Sequence, residues 1–175
     1  MNMKSINLII NPRVLSQNLA YLFAVAALAM FSSGVSWAAQ PPTTELNSDV
    51  TVYKTASCGC CGNWVEHLQH SGLDVGVIIV RDTNSVRSRF GVPQELASCH
   101  TAVAGNYWVE GHVPADLVQK LLDEQPADIK GIAVSGMVPG SPGMESSRPV
   151  EYQVISVDGS GEEAVYATRK GLTAH

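Results

Sequence analysis

The chain has 175 residues, a formal net charge of −5, 15% charged residues and 45% apolar residues. This length predicts one folded domain, and the apolar content argues against a wholly disordered chain. The acidic balance argues against a broad nucleic-acid-binding surface, so no nucleic-acid partner is expected. All four cysteines lie between positions 58 and 99, and three of them fall within four residues. A disulfide-framework miniprotein would spread its cysteines more evenly over a shorter chain. The clustering therefore predicts a functional site built from cysteines.

The first 38 residues have the layout of a secretory signal peptide. Lys4 and Arg13 precede an apolar run over 19–31, and Ser36-Trp37-Ala38 places small residues at the −3 and −1 positions of a cleavage site. The run is about 13 residues long, short of the ~20 that a membrane-spanning helix needs. We therefore predict cleavage after Ala38, a periplasmic mature protein, and no stable membrane anchor after processing.

The mature chain is predicted to be a polar lead-in followed by one domain. Residues 39–48 carry paired prolines and are expected to be flexible, whereas strands and helices alternate through residues 49–170. In chain order we predict a strand at 50–53, a helix from 61 or 62 to about 70, a strand at 75–80, a helix at 82–90, a hairpin of 101–104 with 107–109, a helix at 114–124, and a terminal hairpin of 152–157 with 164–168.

This order predicts an α/β fold. The first strand, the first helix and the second strand form a βαβ unit, whose crossover is expected to be right-handed. Residues 75–80 are rich in β-branched side chains, which predicts a buried strand. Residues 129–145 are rich in glycine and proline and are predicted to form a loop, and composition leaves open whether that loop is ordered.

Three cysteines lie where a loop leaves the first strand and opens the first helix. The backbone N–H groups and the dipole at a helix N-terminus favour thiolate over thiol. Cys58 and Cys61 have the Cys-x-x-Cys spacing that serves both dithiol exchange and soft-metal binding. Cys60 adds a third sulfur, which would invite scrambling in a pure disulfide exchanger. The CxCC motif therefore favours a soft metal ion, with Cu(I) first and Zn(II) second.

Cys99 and His100 come just before the predicted hairpin. In a βαβ unit followed by a hairpin, this position lies beside the cysteine loop, so a fourth sulfur and an imidazole are expected to join it. Other interpretations stay open. The four cysteines can form two structural disulfides, Cys58 and Cys61 can serve a metal-free thiol–disulfide oxidoreductase, and Cys99 can simply be buried.

Further soft or borderline donors lie downstream. His112 precedes the third helix, where it can cap that helix or reach a metal. Met137 and Met144 lie in the Gly/Pro-rich stretch, and their thioethers can serve Cu(I) or fill the core. His67 and His70 are spaced to share one face of the first helix, and we favour solvent exposure for both.

Four segments in order resemble the CopG-type periplasmic proteins, a small family long labelled as a domain of unknown function and associated with copper resistance. They are 52–62 with the CxCC motif, 98–101, 109–114 and 131–144. The resemblance implies a thioredoxin-like metal-binding domain over 49–170. It also implies a copper site, including a polynuclear one, bridged by the cysteines at 58, 60, 61 and 99, with further ligands among His100, His112, Met137 and Met144.

We therefore predict a periplasmic copper-binding protein of copper resistance and homeostasis. It would bind Cu(I), including as a Cys-bridged cluster, and would cycle copper between Cu(I) and Cu(II) beside a copper efflux system. Two alternatives stay open: a thiol–disulfide oxidoreductase that uses Cys58 and Cys61, and a passive copper chaperone. The third cysteine and the Met-containing loop favour copper over disulfide exchange, whereas the sequence leaves enzyme and chaperone undecided.

Overall fold

The computed structural model describes residues 48–174, so the predicted signal peptide and nearly all of the lead-in lie outside the described residues. Within that range the chain forms a mixed α/β protein with one sheet. Its elements are β1 Val50–Lys54, α1 Gly59–His70, β2 Val75–Ile79, α2 Asn84–Phe90, β3 Thr101–Ala104, β4 Tyr107–Glu110, α3 Ala115–Glu124, β5 Ile129–Ala133, β6 Glu151–Asp158 and β7 Glu163–Lys170.

The strands form a seven-stranded sheet in the order β2-β1-β3-β4-β5-β6-β7. The predicted α/β class is confirmed, since β1 and β2 pair in parallel across α1, with Val52 opposite Val77. The two predicted hairpins are also confirmed as β3–β4 and β6–β7. This order places the start of α1, the start of β3 and the end of β4 near one another.

The prediction of a loop throughout 129–145 is wrong for its first residues. β5 pairs in parallel with β4 and antiparallel with β6, so it joins the terminal hairpin to the sheet. Gly131 lies against the indole of Trp108, and a Cβ at this position would overlap that ring. The remaining loop is held by its own backbone hydrogen bonds, including one from Gly140 N to Met144 O at 2.7 Å.

The prediction of a buried second strand is also wrong. β2 lies at the edge of the sheet and pairs with β1. Val77 is 42% exposed and Ile79 is 56% exposed, because the edge position leaves both accessible to solvent. The run of β-branched residues therefore predicts a strand here but does not predict whether that strand is buried.

The two longer helices pack into one hydrophobic core with the sheet. Trp64 and Leu68 of α1 and Leu121 of α3 are fully buried in this core, together with Val52 and Ile132 from the strands. No helix in the described part of the chain is both long and apolar enough to cross a membrane. Because these contacts hold α1 firmly, they also hold the cysteine loop that precedes it.

Candidate metal centre

The cysteine loop lies at the N-terminus of α1, as predicted. Cys58 is the N-cap residue in an extended conformation, and the helix begins at Gly59. Cys58 and Cys61 form a disulfide, whereas Cys60 and Cys99 are free thiols. A Cys58–Cys61 bond is compatible with the dithiol-exchange interpretation that the sequence left open, and it does not test metal binding by the four cysteines. The Cys-x-x-Cys pair is oxidised, and its sulfurs are available to a metal once the bond is reduced.

The structure brings Cys99 to the loop, 38 residues away from Cys61 along the chain. The Sγ atoms of all four cysteines lie within 4.8 Å of one another, and Cys58 Sγ is 3.7 Å from Cys60 Sγ. Burial raises the pKa of Cys99 to about 12, and the neighbouring Cys60 adds to the effect. Cys99 is therefore protonated at neutral pH, and a metal ion that binds it displaces the proton.

His112 presents one ring nitrogen to Cys99. Its Nδ1 lies 2.8 Å from the carbonyl oxygen of Pro142, and its Nε2 lies 3.1 Å from Cys99 Sγ. Because a carbonyl can only accept, Nδ1 donates, which leaves a lone pair on Nε2 directed at the sulfur. Burial lowers the pKa of His112, so the ring is neutral. Histidines that ligate metals commonly have their other nitrogen held in this way.

His100 also lies close to the Cys99 sulfur. Its Nδ1 is 3.4 Å from Cys99 Sγ, and its ring centroid is 4.3 Å from that of Trp64. The side chain is fully buried, and its Nε2 has no hydrogen-bond partner among the described residues. Burial lowers the pKa of His100 to about 3, with His112 adding to the effect. A buried, neutral imidazole with an unpartnered nitrogen fits a metal ligand.

Capping of the third helix, one of the two roles left open for His112, is filled by His67. His67 Nε2 accepts a hydrogen bond from the backbone N–H of Ala115 at 3.0 Å, at the first residue of α3. His67 is half-buried, contrary to the predicted exposure, and burial lowers its pKa. His70 is exposed, as predicted. Together with the hydrogen bond from Trp64 Nε1 to Val113 O, at 2.8 Å, this contact ties α1 to the segment that carries His112.

The two methionines occupy different surroundings. Met137 is 50% exposed. Met144 is half-buried and follows Gly143, whose carbonyl oxygen accepts a hydrogen bond from Asn63 Nδ2 of α1 at 3.4 Å. Met144 therefore lies on the stretch of loop that contacts α1 and His112, and Met137 lies on an exposed part of the same loop.

A buried ion pair supports the centre, and sequence reasoning missed it. Arg87 Nη1 of α2 lies 3.0 Å from Glu110 Oε1 at the end of β4, and their side chains are 7% and 0% exposed. Glu110 also accepts hydrogen bonds from the backbone N–H of Ser98 and from Thr101 Oγ1, each at 2.6 Å. Arg87 donates to Ser98 O as well, at 3.0 Å. These contacts fix both ends of the segment that carries Cys99 and His100.

One feature of the sequence could have indicated the buried ion pair: Glu110 is a charged residue at the end of an apolar strand. Burial raises the pKa of Glu110, while hydrogen bonds from Thr101 and Ser98 and the charge of Arg87 oppose that rise. The next residue, Gly111, has φ +71°, and a Cβ there would overlap Val134 O and the Ser98 side chain. The backbone conformation at Glu110–Gly111 therefore sets the position from which the His112 side chain extends.

The donor atoms form two groups that share one sulfur. The first holds the four cysteines, and the second holds Cys99, His100 and His112, each group with its ligand atoms within 4.8 Å. Thiolate sulfur and neutral imidazole nitrogen are the donors that Cu(I), Cu(II) and Zn(II) prefer. The chain is thus an α/β protein with a sulfur- and imidazole-rich centre at the N-terminus of a helix.

Comparison with known proteins identifies the family. Residues 96–144 match a family described as a protein of unknown function, DUF411. Two solved structures of the copper resistance protein CopG, forms 2 and 1, are 43% and 44% identical to this chain, with TM-scores of 0.66 and 0.65. Each alignment covers 70% of this chain, and it covers 98% of form 2 and 97% of form 1. No curated protein matches. The chain belongs to the CopG-type family of copper resistance proteins.

Proposed function

We propose that this protein is a periplasmic copper-binding protein of copper resistance. The observation that carries the proposal is the shared position of Cys99, which joins a four-sulfur group to a pair of neutral imidazoles. The similarity to copper resistance proteins supports copper as the metal, because the soft donors alone would also accept zinc. In this proposal the first 38 residues act as a signal peptide that is cleaved after Ala38.

The proposed ligands are the donor atoms that converge at this centre. Once the disulfide opens, the sulfurs of Cys58, Cys60, Cys61 and Cys99 can bridge more than one Cu(I), since they lie within 4.8 Å of one another. His112 Nε2 and an imidazole nitrogen of His100 complete the set. Met144 is the better placed of the two thioethers, because its loop contacts α1 whereas Met137 is half-exposed.

The same donors support a change in copper oxidation state. Thiolates stabilise Cu(I), and imidazoles suit Cu(II). A passive chaperone, which transfers Cu(I) to an efflux partner without oxidation, remains the alternative. The thiol–disulfide oxidoreductase is favoured by one observation, the Cys58–Cys61 disulfide itself. Within a thioredoxin-like arrangement, a Cys-x-x-Cys pair that opens the first helix suits either chemistry.

Anaerobic titration of the reduced mature protein with Cu(I) tests the proposal. We expect Cu–S scattering in X-ray absorption, and we expect Cys99→Ser and His112→Ala each to weaken Cu(I) binding by roughly tenfold or more against a competing chelator. His70→Ala is the matched control, since His70 is exposed on the far end of α1. Absence of Cu–S scattering at every stoichiometry would refute copper binding by this centre.

Location and processing need a separate experiment. Fractionation of the source cells should place the protein in the periplasm, and mass spectrometry of the purified protein should give an N-terminus at residue 39. A cytoplasmic protein that retains residues 1–38 would contradict the proposed export. Stopped-flow oxidation of the Cu(I)-loaded protein separates redox cycling from passive transfer, because a chaperone releases copper in the oxidation state in which it arrived.

A further inference from the structure

The four sulfurs of the centre are divided into two chemically different pairs. Cys58 and Cys61 are joined in a disulfide, and Cys60 and Cys99 remain thiols beside it. Cys60 Sγ lies 3.7 Å from Cys58 Sγ, so the disulfide and the free thiols share one small volume. One pair can therefore exchange electrons while the other keeps its donor atoms.

The oxidised state leaves a binding set for Cu(I). Cys60 and Cys99 keep their sulfurs, and Cys99 also faces His112 Nε2 at 3.1 Å. Two or three soft donors are enough for Cu(I), a soft ion that thiolates select. Formation of the disulfide thus removes two sulfur ligands and leaves Cys60 together with Cys99, the cysteine that faces both histidines.

The two bonded cysteines differ in accessibility. Cys58 is partly exposed at the N-cap of α1, and Cys61 is fully buried in the first turn. An external thiolate can reach Cys58 Sγ and displace Cys61 as a thiolate, which the helix N-terminus stabilises. The bond is therefore open to reduction from one side.

We propose that the Cys58–Cys61 dithiol is the electron source for reduction of Cu(II) at this centre, a proposal that rests on the copper-binding function proposed above. Two Cu(II) ions each gain one electron, the two S–H bonds break, and one S–S bond forms. The products are two Cu(I) ions, the Cys58–Cys61 disulfide and two protons released to water. An external dithiol then reduces the disulfide through a mixed disulfide at Cys58 and is itself oxidised to a disulfide.

The test uses the mature protein, fully reduced, freed of reductant and mixed anaerobically with copper(II) sulfate. We measure Cu(I) yield with a chromogenic chelator, the loss of two hydrogens by intact mass, and the cysteine linkage by peptide mapping. We expect two Cu(I) ions per disulfide formed, linked between Cys58 and Cys61. Protein oxidised at this bond beforehand is the matched control, and it should yield less than roughly one tenth as much Cu(I).

The outcomes separate this inference from the proposed function. Three results would overturn the inference and leave copper binding intact. They are retained copper that stays Cu(II) beside four free thiols, Cu(I) formed without a disulfide, and a disulfide that links Cys60 to Cys99. Failure of the reduced protein to retain copper after gel filtration would overturn both. Cys58→Ser removes one sulfur of the pair and should lower the Cu(I) yield about tenfold. Linkage mapping in the unsubstituted protein does not depend on how this variant folds or binds copper.

Discussion

Substitution of methionine for Arg87 would leave a carboxylate without its cation in the interior. Glu110 is fully buried, 3.0 Å from the Arg87 guanidinium, and would keep its hydrogen bonds from Ser98 and Thr101. Removal of one partner from a buried ion pair typically costs about 3–5 kcal/mol. Because two donors to the carboxylate remain, we expect a loss of about 3 kcal/mol at pH 8.

The loss should depend on pH in a direction that the burial of Glu110 dictates. Without Arg87, the pKa of the buried carboxyl rises further above its unfolded value of about 4.3. A group with a raised folded pKa binds protons more tightly in the native state. Its stabilising contribution is therefore complete below the unfolded pKa and is lost as the pH rises through the folded pKa. The Arg87→Met variant should consequently recover stability relative to wild type as the pH falls from 8 to 5.

Urea and thermal unfolding at pH 5 and pH 8, followed by far-UV circular dichroism, measure both effects. We expect a melting temperature lower by roughly 10 °C at pH 8 and a smaller difference at pH 5. Arg169→Met is the matched control, because Arg169 pairs with Asp116 at the surface, where such pairs contribute about 0–1 kcal/mol. Equal effects of the two substitutions, or a deficit that does not change with pH, would refute the reasoning.

Two further substitutions test how the centre is positioned. Gly111→Ala should destabilise the protein by about 2 kcal/mol more than Gly136→Ala in urea unfolding, because both residues have φ near +70° but a methyl overlaps neighbouring atoms only at Gly111. Equal losses would contradict this. His67 has a folded pKa below its unfolded value, so its contribution is present above pH ~6.5 and is lost as the pH falls. His67→Gln can still accept from Ala115 N–H without titrating and should lose less stability between pH 7.5 and 5, whereas His70→Gln should follow wild type.

Local patterns predicted the elements that position the cysteines. The apolar spacing of Trp64, Val65 and Leu68 indicated α1, and the turn at Gly105-Asn106 indicated the β3–β4 hairpin, because both depend on neighbours within a few residues. The approach of Cys99 to the loop followed from the βαβ-hairpin order. Those inferences needed only the chain order and the periods of helix and strand.

The features that were missed depend on distant contacts. The Arg87–Glu110 pair spans 23 residues and the His67–Ala115 hydrogen bond spans 48, so no local pattern could reveal either partner. β5 carries Gly131 in a Gly/Pro-rich context, and it becomes a strand because β4 and β6 lie on either side of it. Tertiary packing in each case decided what composition left open.

The Cys58–Cys61 bond closes a very short loop, with three residues of sequence separation. A cross-link this local removes little conformational freedom from the unfolded chain, about 2 kcal/mol in the chain-entropy model, roughly half of what a bond from Cys58 to Cys99 would remove. The sheet and the Trp64 core hold α1 in place by contacts that do not involve the bond. We therefore expect the protein to stay folded when the bond is reduced, with a loss of no more than about 2 kcal/mol of stability.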